Sequence, residues 1–149
     1  MGHTCSSLFF HLVWSTKNRQ PLIHTPLQNR LYAYIGGIIR KEKAELLSIG
    51  GTADHVHLLL KLETFHSLAT LARKIKSGSS KFVNESNFSM RFAWQEGYGA
   101  FSVSSSKVLM VKEYISRQEQ HHQKLSFQDE FINFLEKHGI VYPKEYLFT

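Results

Sequence analysis

The chain has 149 residues, of which 42% are hydrophobic and 20% are charged, with only three prolines and nine glycines. This composition supports one globular domain and excludes a disordered or low-complexity protein. Apolar runs such as residues 56–60 are far shorter than the roughly 20 residues that cross a bilayer. The formal net charge of the chain is +6. Residues before 125 contain 16 basic and 8 acidic side chains, a charge of +8, while the remaining residues contribute −2. The basic excess favours a polyanionic partner such as nucleic acid.

The first residues carry no basic segment followed by an apolar stretch, so no secretory signal is predicted and the cytoplasm is the expected compartment. Cys5 is the single cysteine, which excludes an intrachain disulfide and a cysteine-based zinc site. We expect Cys5 to be a small buried side chain.

The first half of the chain predicts a strand, a helix and a hairpin. Residues 6–16 are an apolar run typical of a central strand that is buried on both faces. Residues 25–43 carry apolar side chains at helical spacing, with Thr25 as N-cap and Pro26 in the first turn. Residues 44–51 and 55–62 are two apolar strands joined by a short link that favours a hairpin.

The second half predicts three helices and one strand. Helical periodicity runs from Ser67 through Phe82, with one apolar and one basic face, and residues 94–104 read as a strand interrupted by Gly97 and Gly99. Helices follow at residues 106–123 and 127–138. We expect a catalytic core at about 6–123 and a helical tail at 124–149, both within one domain spanning 1–149.

This order of elements predicts an α+β fold of the ferredoxin-like (RRM-like) type. In that fold two helices cover one face of a four-stranded antiparallel sheet whose first and third strands are central. Here the predicted C-terminal helices are added to it. Because one fold hosts many functions, the function has to be argued from particular residues.

Two histidines open the third predicted strand in the sequence Asp54-His55-Val56-His57. Alternate residues of a strand share a face, so His55 and His57 lie side by side as a two-nitrogen metal site while Val56 faces the helices. Nine histidines make such a pair common by chance, and two hydrogen-bonded or surface histidines are the alternative. The central strand favours the functional interpretation, since buried imidazoles are costly unless their nitrogens are satisfied.

A second pair lies on the helix predicted at 106–123. Tyr114 and Gln118 are four residues apart and share a helix face, so a phenol and an amide oxygen point toward the same phosphate. Tyrosine is a known covalent nucleophile, and the alternative is a tyrosine packed beside Val111 with Gln118 in solvent. His121 and His122 are adjacent and point about 100° apart, so we do not expect them to share a metal site.

Taken together, these segments resemble the single-tyrosine transposases of the HUH nuclease superfamily, which include the IS200-like and REP-associated enzymes. The resemblance covers about residues 11–122. It rests on HLVWSTKNR at 11–19, DHVHLLL at 54–60, WQEGYGAF at 94–101, and Tyr114 with Gln118.

The resemblance implies an enzyme that cleaves and rejoins single-stranded DNA at hairpin-bearing element ends. It implies that Tyr114 is the nucleophile of a 5′-phosphotyrosine intermediate and that His55, His57 and Gln118 bind Mg²⁺ or Mn²⁺. It also implies a homodimer in which the tyrosine helix of one subunit serves the histidines of the other, although the residues themselves leave placement in cis open.

Basic side chains supply a candidate DNA-binding surface. They are Arg73, Lys74, Lys76 and Lys81 on the second helix, with Lys17 and Arg19 beyond the first strand. An ordinary solvated face is the alternative. Tyr98 is a rival nucleophile without a neighbour equivalent to Gln118, and the glycines beside it are assigned to a bulge or to a close approach of the DNA backbone.

Three other functions remain open at this point. A non-catalytic single-stranded DNA-binding or RNA-binding module can use the same fold, but it needs exposed aromatic side chains and no nucleophile. A domesticated enzyme that processes REP hairpins, or a rolling-circle initiator, would share the predicted site. The sequence names neither the DNA target nor the cleavage point.

Overall fold

The computed structural model describes residues 2–86 and 91–143, together with Glu145 and Leu147. Short 3₁₀ turns at Lys17–Arg19 and Ser105–Lys107 accompany nine longer helices and strands within these ranges. In chain order these are β1 Leu8–Ser15, α1 Thr25–Lys41, β2 Glu45–Thr52, β3 His55–Leu62, α2 Leu68–Glu85, β4 Gly99–Val103, α3 Val108–Ser116, α4 Gln118–His121 and α5 Phe127–Lys137.

The four strands form one antiparallel sheet in the order β2-β3-β1-β4, so the predicted ferredoxin-like arrangement with β1 and β3 in the centre is confirmed. Ser15 at the end of β1 pairs with His55 at the start of β3. Side chains such as Leu12, Trp14 and Val56 on one face of the sheet join the main core with α1 and α2.

The C-terminal helices cover the opposite face of the sheet. Val13 and Phe101 pack there against Phe127, Phe131 and Leu135 of α5 in a second apolar cluster. Each face of the sheet is therefore buried under helices. The residues of α5 that point inward lie against β1, β3 and β4.

Side-chain caps define where two helices begin. The hydroxyl of Ser67 accepts a hydrogen bond from the Thr70 amide at 3.2 Å, and α2 follows it. Ser126 accepts one from the Asp129 amide at 3.2 Å, and α5 follows. Such caps satisfy amides that the first helical turn leaves without a backbone partner.

Two glycines let the C-terminal helices approach the sheet closely. A Cβ at Gly50 of β2 would lie 2.3 Å from the backbone oxygen of Ile115 in α3. A Cβ at Gly99 of β4 would lie 2.5 Å from the Phe131 ring of α5, whereas a Cβ at Gly97 would meet open space. The close approach expected at Gly99 is therefore made by a helix of the same chain and not by DNA.

Three local predictions differ from the structure. The strand predicted at 94–104 begins only at Gly99. Before it, Trp94 forms a single isolated bridge with Thr16, and the side chain of Gln95, not its backbone, accepts a hydrogen bond from the Ser15 amide at 2.8 Å. The helix predicted at 106–123 is interrupted at Arg117, whose amide bonds to the Tyr114 carbonyl three residues back. Cys5 is exposed and not buried, since it precedes the first strand.

In the part of the chain that is described, every helix is too short or too polar to cross a membrane.

Candidate active site

Three histidines lie on the sheet face that α5 covers. His55 and His57 alternate on β3, and His11 lies beside them on β1. All three are almost completely buried. The Nε2 atom of His11 is 2.7 Å from Nδ1 of His57, so neighbouring strands supply a linked pair of imidazoles.

The predicted helix residues reach the same place. Gln118 is buried, and its Oε1 lies 2.8 Å from Nε2 of His55. The phenol of Tyr114 donates a hydrogen bond to Oε2 of Glu130 in α5. Nε2 of His57 donates to Oε1 of the same carboxylate at 2.9 Å. The structure thus brings the four residues predicted for the site together around Glu130.

Glu130 and His11 are site residues that the sequence did not predict, and Glu130 has the larger number of contacts there. Its carboxylate also accepts from Gln118 Nε2 at 3.2 Å and lies 3.1 Å from His122 Nε2. A signal existed in the sequence: Glu130 shares the helical spacing of Phe127, Phe131 and Phe134, and a carboxylate on an apolar stripe needs partners.

His121 and His122 point in different directions, as their helical positions predict, and one of the two contacts the histidines of β3 and Glu130. The His121 ring stacks on Tyr114 with centroids 4.5 Å apart. His122 packs on His55 with centroids 4.3 Å apart and contacts Glu130. His122 therefore joins His55, His57, Gln118 and Glu130 in one cluster, and His121 does not belong to it.

Groups outside the cluster fix the two histidines of β3. Nδ1 of His55 lies 2.7 Å from Oδ1 of Asp54 and 3.1 Å from the hydroxyl of Thr52, while Nδ1 of His57 faces His11. In both rings Nε2 therefore points into the cluster. A carboxylate behind a histidine is a frequent way to orient a metal-binding imidazole.

Burial and the Glu130 carboxylate set the charges in the cluster. Burial lowers the pKa of His57 to about 4, although Glu130 opposes this shift. Burial also lowers the pKa of His11. For Glu130, burial acts to raise the pKa, but hydrogen bonds from His122, His57 and Tyr114 hold it far below its ordinary range. The Glu130 carboxylate is therefore ionised, with the uncharged imidazole of His57 beside it and the uncharged imidazole of His11 behind His57.

Two neighbours of this carboxylate respond to its charge. Burial and Glu130 together raise the pKa of Tyr114 well above its ordinary value of 10.0. Burial acts to lower the pKa of His122, but its hydrogen bond to Glu130 outweighs burial and raises it. Glu130 thus keeps the phenol protonated and favours the charged form of His122.

The donor set fits a divalent metal ion. Ligand atoms of His55, His57, His122 and Glu130 all lie within 4.8 Å of one another. When His55 donates from Nδ1 to Asp54, its Nε2 lone pair faces the Gln118 oxygen, which is also an acceptor. If the Gln118 amide is reversed, its nitrogen donates to His55, but its oxygen then faces the Glu130 carboxylate, which is also an acceptor. An added cation, either a proton or a metal ion, removes this excess of acceptors, and nitrogen with oxygen donors suits divalent metals.

A cavity of about 370 Å³ opens beside the phenol. His11, Tyr114, Glu130 and Phe134 line it, together with Met110 and Val111 of α3. The nucleophile predicted from the sequence therefore lies at a surface that a substrate can reach. Tyr98 lies before β4, where its ring is 5.9 Å from the Lys76 ammonium.

The predicted DNA-binding residues fall on two parts of the molecule. Lys17 and Arg19 follow β1, at the end of the sheet where Ser15 pairs with His55. Arg73, Lys74, Lys76 and Lys81 lie on α2, which packs on the other face of the sheet.

Two of the α2 lysines have partners within the protein. Lys74 forms an ion pair with Glu42 at 3.0 Å. Lys76 donates to the carbonyls of Gln95, Glu96 and Gly97 at 2.7, 3.0 and 2.7 Å, and burial lowers its pKa to about 8. Lys76 thus holds the turn that precedes β4.

The geometry can be compared with known proteins. Residues 4–118 match the family described as Transposase IS200 like. The chain belongs to this family. It is 23% identical over 117 residues to the ISDra2 transposase TnpA of Deinococcus radiodurans, an alignment that covers 74% of this chain and 84% of that protein.

Two solved structures share the fold of this IS200-like transposase. A candidate transposase from Deinococcus radiodurans R1 superposes with a TM-score of 0.64 at 22% identity, covering 79% of this chain and 96% of that one. A REP-associated tyrosine transposase bound to a REP hairpin gives a TM-score of 0.63 at 14% identity, with coverages of 84% and 76%. The family match ends at Gln118, so His122 and Glu130 lie beyond it.

Proposed function

We propose that this IS200-like transposase cleaves and rejoins single-stranded DNA through a covalent bond to Tyr114. The observation that supports this proposal is the meeting of Tyr114, His55, His57 and Gln118 around Glu130, beside an open cavity. Phosphoryl transfer by a tyrosine nucleophile requires a phenol next to side chains that can bind a metal ion, and this site contains both.

The covalent step exchanges one phosphate ester for another. The Tyr114 oxygen forms a bond to phosphorus, and the bond from phosphorus to the 3′ oxygen of the preceding nucleotide breaks. The phenol proton passes to water in the cavity, and the 3′ oxygen takes up a proton to become a hydroxyl. The products are a 5′-phosphotyrosine and a free 3′ end, and the reverse reaction rejoins the strand.

Glu130 orients the phenol and does not keep its proton. The pKa of Glu130 is far below its ordinary range, while that of Tyr114 is raised, so lasting transfer between them is strongly unfavourable. The hydrogen bond nevertheless fixes the direction of the phenol oxygen. This geometry presents the oxygen to the cavity from a constant position.

His55, His57 and Gln118 would hold a divalent ion, Mg²⁺ or Mn²⁺. When bound, it polarises the phosphate and offsets the charge that develops during attack. Imidazole nitrogens are softer ligands than Mg²⁺ prefers, so we expect Mn²⁺ to bind more tightly.

We further propose a DNA hairpin as the recognised feature, supported by the REP hairpin bound to the structural relative. Lys17 and Arg19 follow β1 at the end of the sheet that holds His55, and this position supports a role for them in contacting phosphates that lead into the site. Arg73, Lys74 and Lys81 provide a more distant surface. Hairpins flanking the gene on both sides would indicate a mobile element, and their absence a domesticated hairpin-processing enzyme.

The resemblance leads us to propose a homodimer that shares its sites. Within one chain, Tyr114 already contacts Glu130, and Glu130 contacts His57. A second copy can make the same contacts if α3 is exchanged through the turn at Ser105–Lys107. Leu109 and Met110 of α3 are 79% and 56% exposed, which leaves apolar surface for a partner.

Formation of a covalent adduct tests the proposed chemistry. The full chain is incubated with Mn²⁺ and an end-labelled single strand that carries a hairpin, and adduct is measured on a denaturing gel. We expect adduct with wild type and with the matched control Tyr98→Phe, and none with Tyr114→Phe. Adduct on Tyr114→Phe, or equal rates on single-stranded and duplex DNA, contradicts the proposal.

A further inference from the structure

Two side chains of the cluster lie outside the segment that matches the family. His122 follows α4, and Glu130 lies in the first turn of α5. Both contact the residues assigned above to the metal ion. They therefore raise the question of whether the metal site of this chain is larger than His55, His57 and Gln118.

We infer that Glu130 is a metal ligand of this protein through Oε1 and that His122 lies beside it as a further ligand. The inference rests on the proposed function, which places a divalent ion in the cluster. It predicts that the C-terminal helix α5 is required for metal binding.

Charge is the first argument. Two neutral imidazoles and one amide oxygen carry no negative charge, whereas moving a divalent cation from water into a buried site is costly without an anionic partner. Among the described residues of the cluster, Glu130 supplies the carboxylate, and it is 2% exposed. Asp54 lies behind His55, on Nδ1, and so faces away from the cluster.

Distance is the second argument. Oε1 of Glu130 lies 2.9 Å from Nε2 of His57, 3.1 Å from Nε2 of His122 and 3.7 Å from Nε2 of His55. Two ligands that bind one ion at about 2.1 Å are roughly 3 to 3.5 Å apart when the angle between them is near 90° to 110°. The three distances from Oε1 therefore match the spacing of ligands on one ion to within a few tenths of an ångström.

The two oxygens of Glu130 have different neighbours, which links the metal site to the nucleophile. Oε1 faces the histidines, while Oε2 accepts hydrogen bonds from Tyr114 and Gln118. A carboxylate that binds the ion through one oxygen and the phenol through the other fixes the nucleophile relative to the metal. Glu130 is thus also a positioning residue for Tyr114.

Metal binding without DNA tests the inference separately from catalysis. The full chain is stripped with a chelator and titrated with Mn²⁺ at neutral pH, and free Mn²⁺ is followed by electron paramagnetic resonance. We expect Glu130→Gln to weaken Mn²⁺ binding by at least about tenfold. Changing a side chain that only orients a metal ligand already costs about this much affinity. The matched control is Glu136→Gln on the exposed face of the same helix, which should bind as wild type does.

The neighbouring histidines offer a second matched pair. His122→Asn should weaken Mn²⁺ binding, whereas His121→Asn, whose ring stacks on Tyr114 outside the cluster, should not. Wild-type affinity in Glu130→Gln overturns the inference. Equal affinities in the two histidine variants remove His122 from the ligand set.

A measurement on the wild-type chain avoids the possibility that Glu130→Gln does not fold. Glutamate labelled with ¹³C at the carboxylate is incorporated, and infrared difference spectra are recorded on addition of Mn²⁺. A shifted glutamate carboxylate band is expected, and its absence overturns the inference. If wild type requires Mn²⁺ for adduct while Glu130→Gln binds Mn²⁺ normally, the inference fails and the proposed function stands. If wild type forms adduct but binds no Mn²⁺, both the metal-dependent mechanism and the assignment of Glu130 as a metal ligand are wrong.

Discussion

Nε2 of His57 and Oε1 of Glu130 lie 2.9 Å apart, between a central strand and the last described helix, with both side chains removed from solvent. Burial lowers the pKa of His57 to about 4, so its ring is neutral and carries one N–H. Because Nε2 donates that hydrogen to Glu130, Nδ1 is left to accept a hydrogen bond from Nε2 of His11 at 2.7 Å. The pair therefore consists of a neutral imidazole and an ionised carboxylate.

This pair predicts that the metal-free protein loses stability in acid. The pKa of His57 falls from 6.5 to about 4 on folding, and that of Glu130 is also lowered, so the folded chain binds fewer protons than the unfolded chain. The contribution of His57 is complete above pH 6.5 and is lost as the pH falls toward 4; it amounts to about 3 kcal/mol at most. The raised pKa of His122 acts in the opposite direction and offsets part of the loss.

Urea unfolding measured across this pH range checks the prediction. The free energy of unfolding of wild type should fall as the pH decreases, and His57→Gln should show a clearly smaller fall in the same range. His3→Gln changes an exposed histidine and serves as the control. A wild-type free energy that does not change with pH would show that His57 is not held neutral by burial.

Gly50 controls the position of the tyrosine helix. In Gly50→Ala the new Cβ meets the Ile115 oxygen at 2.3 Å, so α3 has to move away from β2 and carry Tyr114 with it. We expect a loss of roughly 1 to 3 kcal/mol in the free energy of unfolding and a larger relative loss of adduct formation. Gly37→Ala is the matched control, because its Cβ meets open space on α1. Normal adduct formation by Gly50→Ala would show that α3 adjusts without displacing the nucleophile.

The order of elements was predictable because hydrophobic periodicity is a local property. The alternation in His55 and His57 gave their common face directly, since successive side chains of any strand point to opposite sides. The helix containing Tyr114 and Gln118 was predicted as continuous, but it breaks at Arg117. The tertiary contact of Gln118 with His55 lies beyond what local spacing can predict.

The rest of the site depends on long-range packing. Glu130 is 73 residues from His57, and nothing in the strand pattern indicates that α5 covers the histidines. Lys76 looks like one more cation on a basic face, yet its ammonium bonds to a turn 19 to 21 residues away. Charge patterning alone does not separate a lysine that holds a turn from one that is placed to meet phosphate.

The basic residues should therefore divide into two groups. Arg73→Ala and Lys81→Ala should weaken binding of a hairpin strand without changing the free energy of unfolding. The slope of log K against log salt concentration should become less steep by about 0.7 for each phosphate that is no longer neutralised. Lys76→Met should instead lower the free energy of unfolding by about 1 to 2 kcal/mol, because it leaves three carbonyls without their donor. Lys41→Ala, at the exposed end of α1, is the control. Unchanged stability in Lys76→Met contradicts the structural assignment of this lysine.

Removal of the metal should stop chemistry and leave DNA binding intact. The cluster supplies the nitrogen and oxygen atoms proposed to bind the metal, while the basic side chains proposed to contact phosphates lie elsewhere. In excess chelator we expect no covalent adduct and a normal mobility shift of the hairpin strand, with adduct restored by Mn²⁺ and more weakly by Mg²⁺. Undiminished adduct in excess chelator would exclude a metal-dependent mechanism.

The assembly of the site is tested by a dimer with two different defects. One subunit carries His55→Ala and His57→Ala, and the other carries Tyr114→Phe; the two are co-expressed with separate tags and purified through both. If α3 is exchanged, the first subunit donates an intact Tyr114 to the intact histidines of the second, and one complete site results. If each chain completes its own site, as the contacts within one chain allow, every site of the mixed dimer lacks either the nucleophile or the histidines.

The two arrangements give opposite results on a labelled hairpin strand. We expect adduct on the chain with the histidine substitutions, as exchange requires. Adduct on neither chain, with wild type active in parallel, contradicts exchange and establishes assembly in cis; a failure to recover any doubly tagged dimer at working concentrations does the same. Adduct on the Tyr114→Phe chain contradicts the choice of nucleophile itself, and Tyr98, whose ring lies beside Lys76 and apart from the cluster, is then the first residue to replace.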